Sequence, residues 1–173
     1  MSTSDGPAVP DALDRLGLRV VPMGAEVAPA LVRFHDSLSA ATTRSRFFSV
    51  HPHLSAGEVT RSTTVDHRER EALVVLDTDD EIVAVARVDV LPGSPPVAEV
   101  AFVVADAWRH HGIGGAVLAR LAGRARQVGI EQFVAATLAD NRAMRAVFRR
   151  AGDPIDEHVA GGVVTVTIPL TTR

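Results

Sequence analysis

The sequence predicts one α/β domain in which a mixed β-sheet carries helices on both faces. The first half contains three apolar segments joined by short, turn-rich connections, as in adjacent antiparallel strands: 72–76, 82–91 and 97–105. The second half alternates helical and strand patterns: 112–128, 132–138, 141–151 and 163–169. The strand–helix–strand–helix order that begins with 97–105 favours a sheet covered by helices on its faces.

The length of 173 residues suits a single domain of ordinary size. Residues 1–16 are polar and interrupted by proline, so we expect a flexible N-terminal tail there and one folded domain over 17–173. Residues 18–23 read as an edge strand, since Pro22 is tolerated only at an edge. Apolar residues at helical spacing predict a helix over 26–39.

Two segments follow before the apolar strands. Residues 44–48 (Arg-Ser-Arg-Phe-Phe) have no clear periodicity and read as irregular. Residues 55–58 (Ser-Ala-Gly-Glu) have the pattern of a capping box, which predicts the start of a short helix.

Composition excludes several kinds of chemistry. The chain has no Cys, Tyr or Lys, and its 18 basic residues are all Arg. Disulfides, thiolate metal sites and cysteine nucleophiles are therefore excluded, as is the lysine of a P-loop. The N-terminus lacks the pattern of a signal peptide and no segment reaches the ~20 apolar residues of a membrane helix, so we expect a cytoplasmic protein without membrane contact.

The charge is unevenly distributed along the chain. The formal net charge is −3, yet residues 107–130 and 141–152 contain eight Arg and no acidic residue. An acidic chain with few aromatic residues is a poor nucleic-acid binder, so these segments favour a compact polyanion as ligand. Solvated, arginine-rich helix faces are the alternative.

A glycine-rich bend lies between the third apolar strand and the following helix. It reads Arg109-His110-His111-Gly112-Ile113-Gly114-Gly115. Glycines allow close approach of a ligand to the backbone, and a helix N-terminus attracts anions, so the bend predicts a phosphate cradle. A purely structural tight turn is the alternative. The dinucleotide motif fails because position 117 is Val, and the Walker motif needs a Lys.

From strand to bend, helix, strand and an Asn141-led helix, the sequence resembles the GNAT N-acetyltransferases. The resemblance implies the GNAT fold and acetyl-CoA as co-substrate. It places the cofactor against the strand end, the bend and the last helix: Phe102, Val103, Val104, Arg109, His110, His111, Gly112, Ile113, Gly114, Gly115, Asn141 and Phe148. Where many members of the family carry a Tyr as general acid, this chain has Phe148, which cannot donate a proton.

Within that family, three segments resemble the bacterial Pat-type protein-lysine acetyltransferases. They are Arg46-Phe47-Phe48 with Leu54-Ser55, residues 98–102, and residues 140–144. The resemblance implies a protein lysine as acceptor, with AMP-forming acyl-CoA synthetases as candidate substrates. It also places Arg44, Arg46 and Phe47 in the acceptor-binding region.

Glu99 is the candidate catalytic residue, since it is the only charged residue in the strand 97–105. We expect it to be buried, and burial would raise the pKa of its carboxyl toward neutrality, which suits a general base. The reaction needs a base because a lysine amine, with a pKa of about 10.4, is protonated at neutral pH. The resemblance implies the same role. The alternative is a carboxylate at a solvent-facing strand end.

Without Cys, the simplest scheme is direct attack by the amine in a ternary complex. Two other functions stay open: acetylation of a small amine, and a non-catalytic acyl-CoA sensor. We expect no metal site, since His51 and His53 lack a nearby acidic ligand in sequence. The expected assembly is a monomer or a homodimer.

Overall fold

A computed structural model describes residues 11–93, 96–151 and 156–170 of the chain. Seven strands form one sheet in the order β1-β2-β3-β4-β5-β7-β6: β1 Arg19–Pro22, β2 Arg70–Leu76, β3 Ile82–Leu91, β4 Val97–Val104, β5 Gln132–Leu138, β6 Asp156–Ala160 and β7 Val163–Pro169. Among these strands, β4 and β5 form the one parallel pair, and the other neighbours are antiparallel. The predicted mixed sheet is confirmed.

Six α-helices accompany the described strands: α1 Ala12–Arg15, α2 Ala28–Ser37, α3 Ala40–Phe47, α4 Ala56–Thr63, α5 Ile113–Gln127 and α6 Arg142–Ala151. Short 3-10 turns lie at Ala25–Val27 and Asp106–Trp108. No helix of the described ranges is long and apolar enough to cross a bilayer.

The sheet has a hydrophobic core on each face. Because side chains alternate along a strand, Val100 and Phe102 of β4 pack into the larger core together with α5 and the buried Phe148 of α6. The opposite face packs under α2, where Leu31 and Phe34 meet Val74 of β2. Helices therefore cover both faces, as the sequence predicts.

Most predicted elements lie where the sequence places them. Strands β5 and β7 have the predicted bounds. Ser55 caps α4, and both hydrogen bonds of its capping box with Glu58 are present. A turn at 77–80 joins β2 to β3, and it is one of the short, turn-rich connections that the sequence predicts. Gly152, the glycine that follows the predicted helix 141–151, lies outside the described residues.

The prediction of a tail over 1–16 is wrong for residues 11–16, while residues 1–10 lie outside the described part. Asp11 caps α1 by accepting hydrogen bonds from the N–H groups of Leu13 and Asp14. Leu13 is fully buried in the larger core, and Arg120 of α5 pairs with Asp11 and Asp14 at 3.0 Å. The cap is a local pattern, but the burial of Leu13 and the ion pairs with Arg120 depend on distant residues that a four-residue helix does not reveal.

Two further elements were not predicted. Residues 44–48 belong largely to α3, which Ser39 begins by accepting a hydrogen bond from the N–H of Thr42. The helix has little apolar periodicity, and its cap and its contacts with β4 and β5 hold it. Strand β6 is mostly exposed, and it forms an antiparallel hydrogen-bonded pair with β7.

Candidate active site

Strands β4 and β5 separate after three residue pairs, and a cavity opens between them. Their parallel pairing ends at Glu99 and Val134. In an antiparallel ladder, successive backbone groups point to opposite edges. Because the N–H of Ala105 donates to Val83 of β3, the N–H groups of Phe102 and Val104 point toward β5, at a level where the pairing with β5 has ended.

The cavity has a volume of about 420 Å³ and passes between the two strands. Residues of both sheet faces therefore line it, with Glu99 and Val103 on one face and Phe102 and Phe148 on the other. It contains most of the predicted site residues: Arg46, Glu99, Phe102, Val103, Val104, Arg109, His110, Gly112, Ile113, Gly114, Gly115, Asn141 and Phe148. Among the predicted residues, His111 and the exposed Arg44 do not line it, and Phe47 lines a second cavity instead.

The glycine bend begins α5 and points its backbone toward the cavity. Gly112 adopts a left-handed conformation with φ of +82°, which favours glycine. The first helical bond runs from the N–H of Ala116 to the carbonyl of Gly112, so the N–H groups of residues 113–115 have no partner within the helix. A Cβ added at Gly115 would have nothing within 4 Å, whereas one at Gly114 would lie 3.0 Å from the Phe102 ring. The space above Gly115 suits an approaching anion.

Arg109, a predicted phosphate ligand, is held by protein groups. Its Nη2 donates a hydrogen bond to Thr42 Oγ1 and lies 3.6 Å from Asp106 Oδ1. Asp106 also accepts hydrogen bonds from the Ser39 N–H at 2.9 Å, from Ser39 Oγ at 3.0 Å and from Thr42 Oγ1 at 2.6 Å. This group of contacts ties the start of α3 to the loop before α5, so Arg109 helps to fix the bend in place.

Glu99 is exposed, and the prediction that it is buried is wrong. Its neighbours Ala98 and Val100 point into the larger core, so Glu99 must point to the opposite face. There it lies opposite Asp89 of β3, and the desolvation expected from the apolar sequence is absent. The alternative of a solvent-facing carboxylate describes its position, and Glu99 still lines the cavity.

A group of charged residues surrounds Glu99 on its face of the sheet. Asp89 pairs with Arg87 at 2.9 Å and with Arg70 at 3.1 Å. Arg46 of α3 lies close enough to Arg87, Glu99 and Asp89 for their charges to affect its pKa. Burial is the largest cause that lowers the pKa of Arg46 to about 10, and the nearby Arg87 adds to this lowering, while Glu99 and Asp89 act in the opposite direction. Arg46 remains a cation at neutral pH.

Phe148 in α6 and Asn141, which precedes that helix, have clear structural roles. Phe148 is buried and packs edge-on against Phe102, with ring centroids 6.1 Å apart. Asn141 precedes α6, and its Oδ1 accepts a hydrogen bond from the N–H of Met144 at 3.1 Å. Both residues line the cavity, and the Asn141 amide nitrogen is left to serve a ligand.

Several lining residues had no functional signal in the sequence. They come from α3, the 3-10 turn before the bend, β5 and α6: Thr42, Ser45, Trp108, Thr137 and Val147. They are ordinary residue types with no motif spacing, and the folding of separate segments brings them together. In the described part of the chain, no group of acidic and histidine side chains could hold a metal ion.

Comparison with known proteins identifies the family. The model of the acetyltransferase (GNAT) family matches residues 36–153. The crystal structure of the GNAT domain of S. lividans PAT is 34% identical, with 88% of this chain and 90% of that chain covered and a TM-score of 0.80.

Two other similarities are more limited. Acetyltransferase Pat of Mycolicibacterium smegmatis is 43% identical over 56 residues, which are 32% of this chain and 17% of that longer protein. A phosphinothricin acetyltransferase from Sinorhizobium meliloti, solved in complex with acetyl-CoA, covers 88% of both chains with a TM-score of 0.73, but at 16% identity it supports the fold alone. The family match and the S. lividans structure establish that the chain belongs to the GNAT family of acetyltransferases, whose acetyl donor is acetyl-CoA.

Proposed function

We propose that this acetyltransferase moves the acetyl group of acetyl-CoA to a lysine ε-amine of another protein, by direct attack within a ternary complex. AMP-forming acyl-CoA synthetases are the first candidate acceptors. The resemblance of three segments to the Pat-type enzymes and the similarity to the two named proteins support this acceptor class. The observation that carries the proposal is the exposed Glu99 at the point where β4 and β5 diverge.

The donor side of the cavity fits acetyl-CoA. The free N–H groups of residues 113–115 and the open space above Gly115 would hold the pyrophosphate. The N–H groups of Phe102 and Val104, on the β4 edge that faces β5, would bind the pantetheine arm. Phe148 and Phe102 would pack against the thioester end. Acetyl-CoA supplies the acetyl group as a thioester, and the protein supplies its position.

Glu99 would act as the general base. It accepts a proton from the lysine ammonium, and the neutral nitrogen then forms a bond to the acetyl carbon as the carbon–sulfur bond breaks. The second proton, which the nitrogen loses as the amide forms, passes to the departing thiolate. The thiolate leaves without a protein acid, since Phe148 has no proton to donate and a thiol pKa near 8.5 makes the thiolate a good leaving group. The absence of Cys excludes a cysteinyl acyl-enzyme.

The open surface next to Glu99 supports a protein acceptor. Val134 lies opposite Glu99, so Ala136 of β5 and its partner Thr165 of β7 share its face, and both are exposed. Since the cavity passes through the sheet, donor and acceptor can enter from opposite faces. A lysine on the surface of a folded protein can therefore reach Glu99, whereas a closed pocket would admit only small amines.

The experiment is an acetyl-transfer assay with radiolabelled acetyl-CoA, purified AMP-forming acyl-CoA synthetases and a panel of small amines. We expect label on one lysine of a synthetase, lost when that lysine is replaced by Arg or when this enzyme carries Glu99→Gln. Intersecting double-reciprocal plots are expected for a ternary complex. Label on small amines alone, or parallel plots, would contradict the proposal.

A further inference from the structure

A second cavity lies on the sheet face that carries Glu99, beside the cavity proposed to bind acetyl-CoA. It has a volume of about 250 Å³. Small residues of β2, β3 and β4 form its floor: Ala72, Val85, Ala101 and Val103. Helices α2, α3 and α4 form its walls, with Phe34 and Phe47 among the apolar side chains. The cavity thus has an apolar floor on the sheet face that carries Glu99.

The two cavities adjoin each other. Arg46, Ala101 and Val103 line both, so the side chain of Arg46 stands at the boundary between them. A molecule whose amine lies at Glu99 can extend past Arg46 into the second cavity. Whatever occupies the second cavity during the reaction therefore belongs to the acceptor or lies directly beside it.

The charged groups of the second cavity are mainly cationic. Three arginines line it, Arg46, Arg61 and Arg87, against one carboxylate, Glu58. Glu58 is already engaged, since its Oε2 accepts hydrogen bonds from the Ser55 N–H and hydroxyl at 2.8 and 2.7 Å. Its other oxygen lies 3.0 Å from Nε2 of His51. Asp89, which does not line the cavity, pairs with Arg87, and the lining groups still carry more positive than negative charge.

Arg46 and Arg87 carry that unbalanced charge. Within the described ranges, no carboxylate lies at ion-pair distance from Arg46, and its guanidinium carbon sits 5.0 Å from the ring centroid of Phe47. Arg87 shares the single carboxylate of Asp89 with Arg70. Arg87 also lowers the pKa of Arg46, a sign of two cations held close together. An anion between them would relieve this repulsion.

The spacing from Glu99 fits an extended peptide. In the register of β3 and β4, Arg87 lies opposite Ala101 and Asp89 lies opposite Glu99. Arg87 is therefore the diagonal cross-strand neighbour of Glu99, and the Cα atoms of such neighbours are about 7–8 Å apart. In an extended chain, residues i and i+2 lie on one face about 7 Å apart, and residue i+1 points the other way. In extended L-lysine, the four methylene groups of the side chain place the ε-amine at a similar distance from the α-carboxylate.

We propose that the second cavity is a specificity subsite in which Arg46 and Arg87 hold a carboxylate of the acceptor about two residues from the amine that is acetylated. The inference rests on the proposed function, because it describes the acceptor of the same site. The carboxylate belongs either to an acidic side chain of a protein or to a free amino acid. A polyamine, which carries only positive charge, is disfavoured by this subsite.

The test compares acceptor peptides that differ at one position. One has Glu two residues from the lysine, the second has Gln there, and the third has Glu adjacent to the lysine. We expect the first to bind the CoA-saturated enzyme about 10-fold to 100-fold more tightly than the second, as for hydrogen bonds to a charged group. The third should bind like the second. Calorimetric titration measures binding without turnover.

Matched variants locate the effect. Arg46→Gln and Arg87→Gln should reduce the Glu-to-Gln preference toward unity, while Arg68→Gln, which removes an exposed charge outside both cavities, should keep it. Thermal melting checks that each variant is folded, and Arg46→Gln removes no ion pair. Equal affinity for the first two peptides together with equal affinity for L-lysine and cadaverine, or a preference that survives both arginine substitutions, would overturn the inference.

Two small acceptors distinguish the sources of the carboxylate. L-lysine carries a carboxylate and cadaverine is its decarboxylated counterpart. An Arg46-dependent preference among the peptides assigns the subsite to a protein side chain, and one found only for L-lysine assigns it to a free amino acid. If the Glu peptide binds preferentially but no peptide or protein lysine is acetylated, the subsite stands and the proposed function fails.

Discussion

The cradle at the start of α5 can be tested with two alanine substitutions in one helix. Gly115 and Gly123 both lie in α5, and a Cβ added at either would have nothing within 4 Å. The two differ in one respect, since Gly115 lines the cavity and Gly123 does not. Alanine is favoured over glycine in a helix by up to about 1 kcal/mol. Both substitutions should therefore stabilise the fold.

Their effects on acetyl-CoA binding should diverge. The methyl group of Gly115→Ala would occupy the space where the pyrophosphate approaches the free N–H groups, and we expect at least a ~10-fold loss of affinity, about 1.4 kcal/mol. Gly123→Ala should bind with unchanged affinity. Both variants should melt about 2–4 °C higher per kcal/mol gained, with the larger gain at Gly123 in the middle of the helix.

Calorimetric titration with acetyl-CoA and thermal melting of the free protein supply the two measurements. Because the control carries the same substitution in the same helix, a general change in α5 would affect both variants alike. Wild-type affinity in Gly115→Ala would refute the assignment of the bend as the phosphate cradle. Lower melting temperatures in both variants would instead refute the open space around these glycines.

Three further predictions concern catalysis, the N-terminal segment and pH. Glu99→Gln should reduce turnover by ~10²–10⁴ and leave acetyl-CoA affinity nearly unchanged, and unchanged turnover at saturating substrate would remove Glu99 from the mechanism. Leu13→Ala should cost about 2–5 kcal/mol and lower the melting temperature by roughly 5–15 °C, whereas no change would mean that α1 does not belong to the core. Burial alone would raise the pKa of Asp106, but hydrogen bonds from Ser39 and Thr42 outweigh burial and hold that pKa below its usual range. Because the carboxyl of Asp106 has a lower pKa in the folded protein than in the unfolded chain, its ionised form stabilises the fold above about pH 4, and this stabilisation is lost as the pH falls through the pKa of the folded protein. The melting temperature of the wild type should therefore exceed that of Asp106→Asn by less and less as the pH falls from about 5 to about 2. An advantage that stays constant with pH would contradict this.

Predictions from local sequence patterns are correct for the elements whose own residues show a clear helical or strand pattern. The β-branched run 163–169 and the apolar segment 132–138 became β7 and β5 with the predicted bounds. The capping box at Ser55 and the glycine bend at 112–115 also formed as expected, because a cap or a left-handed turn depends on residues within a few positions. Of these features, the glycine bend lines the cavity that we propose binds acetyl-CoA.

Elements held by distant contacts could not be predicted. Helix α1 depends on the burial of Leu13 and on ion pairs with Arg120, more than one hundred residues away. Helix α3 lacks an apolar stripe, and its N-terminus is anchored by Asp106 from the loop after β4. A window of neighbouring residues contains none of this information, since the stabilising partners lie elsewhere in the chain.

Local sequence patterns predict most of the strands and helices, the glycine bend and the candidate base at position 99, but not α1, α3 or β6. The exposure of Glu99 follows from the fold, because alternation along β4 defines two faces but not which of them a helix covers. Only the tertiary structure brought Arg46 and Arg87 together beside a second cavity. Local sequence encodes periodicity and turns, whereas exposure and charge neighbourhoods arise when separate segments pack.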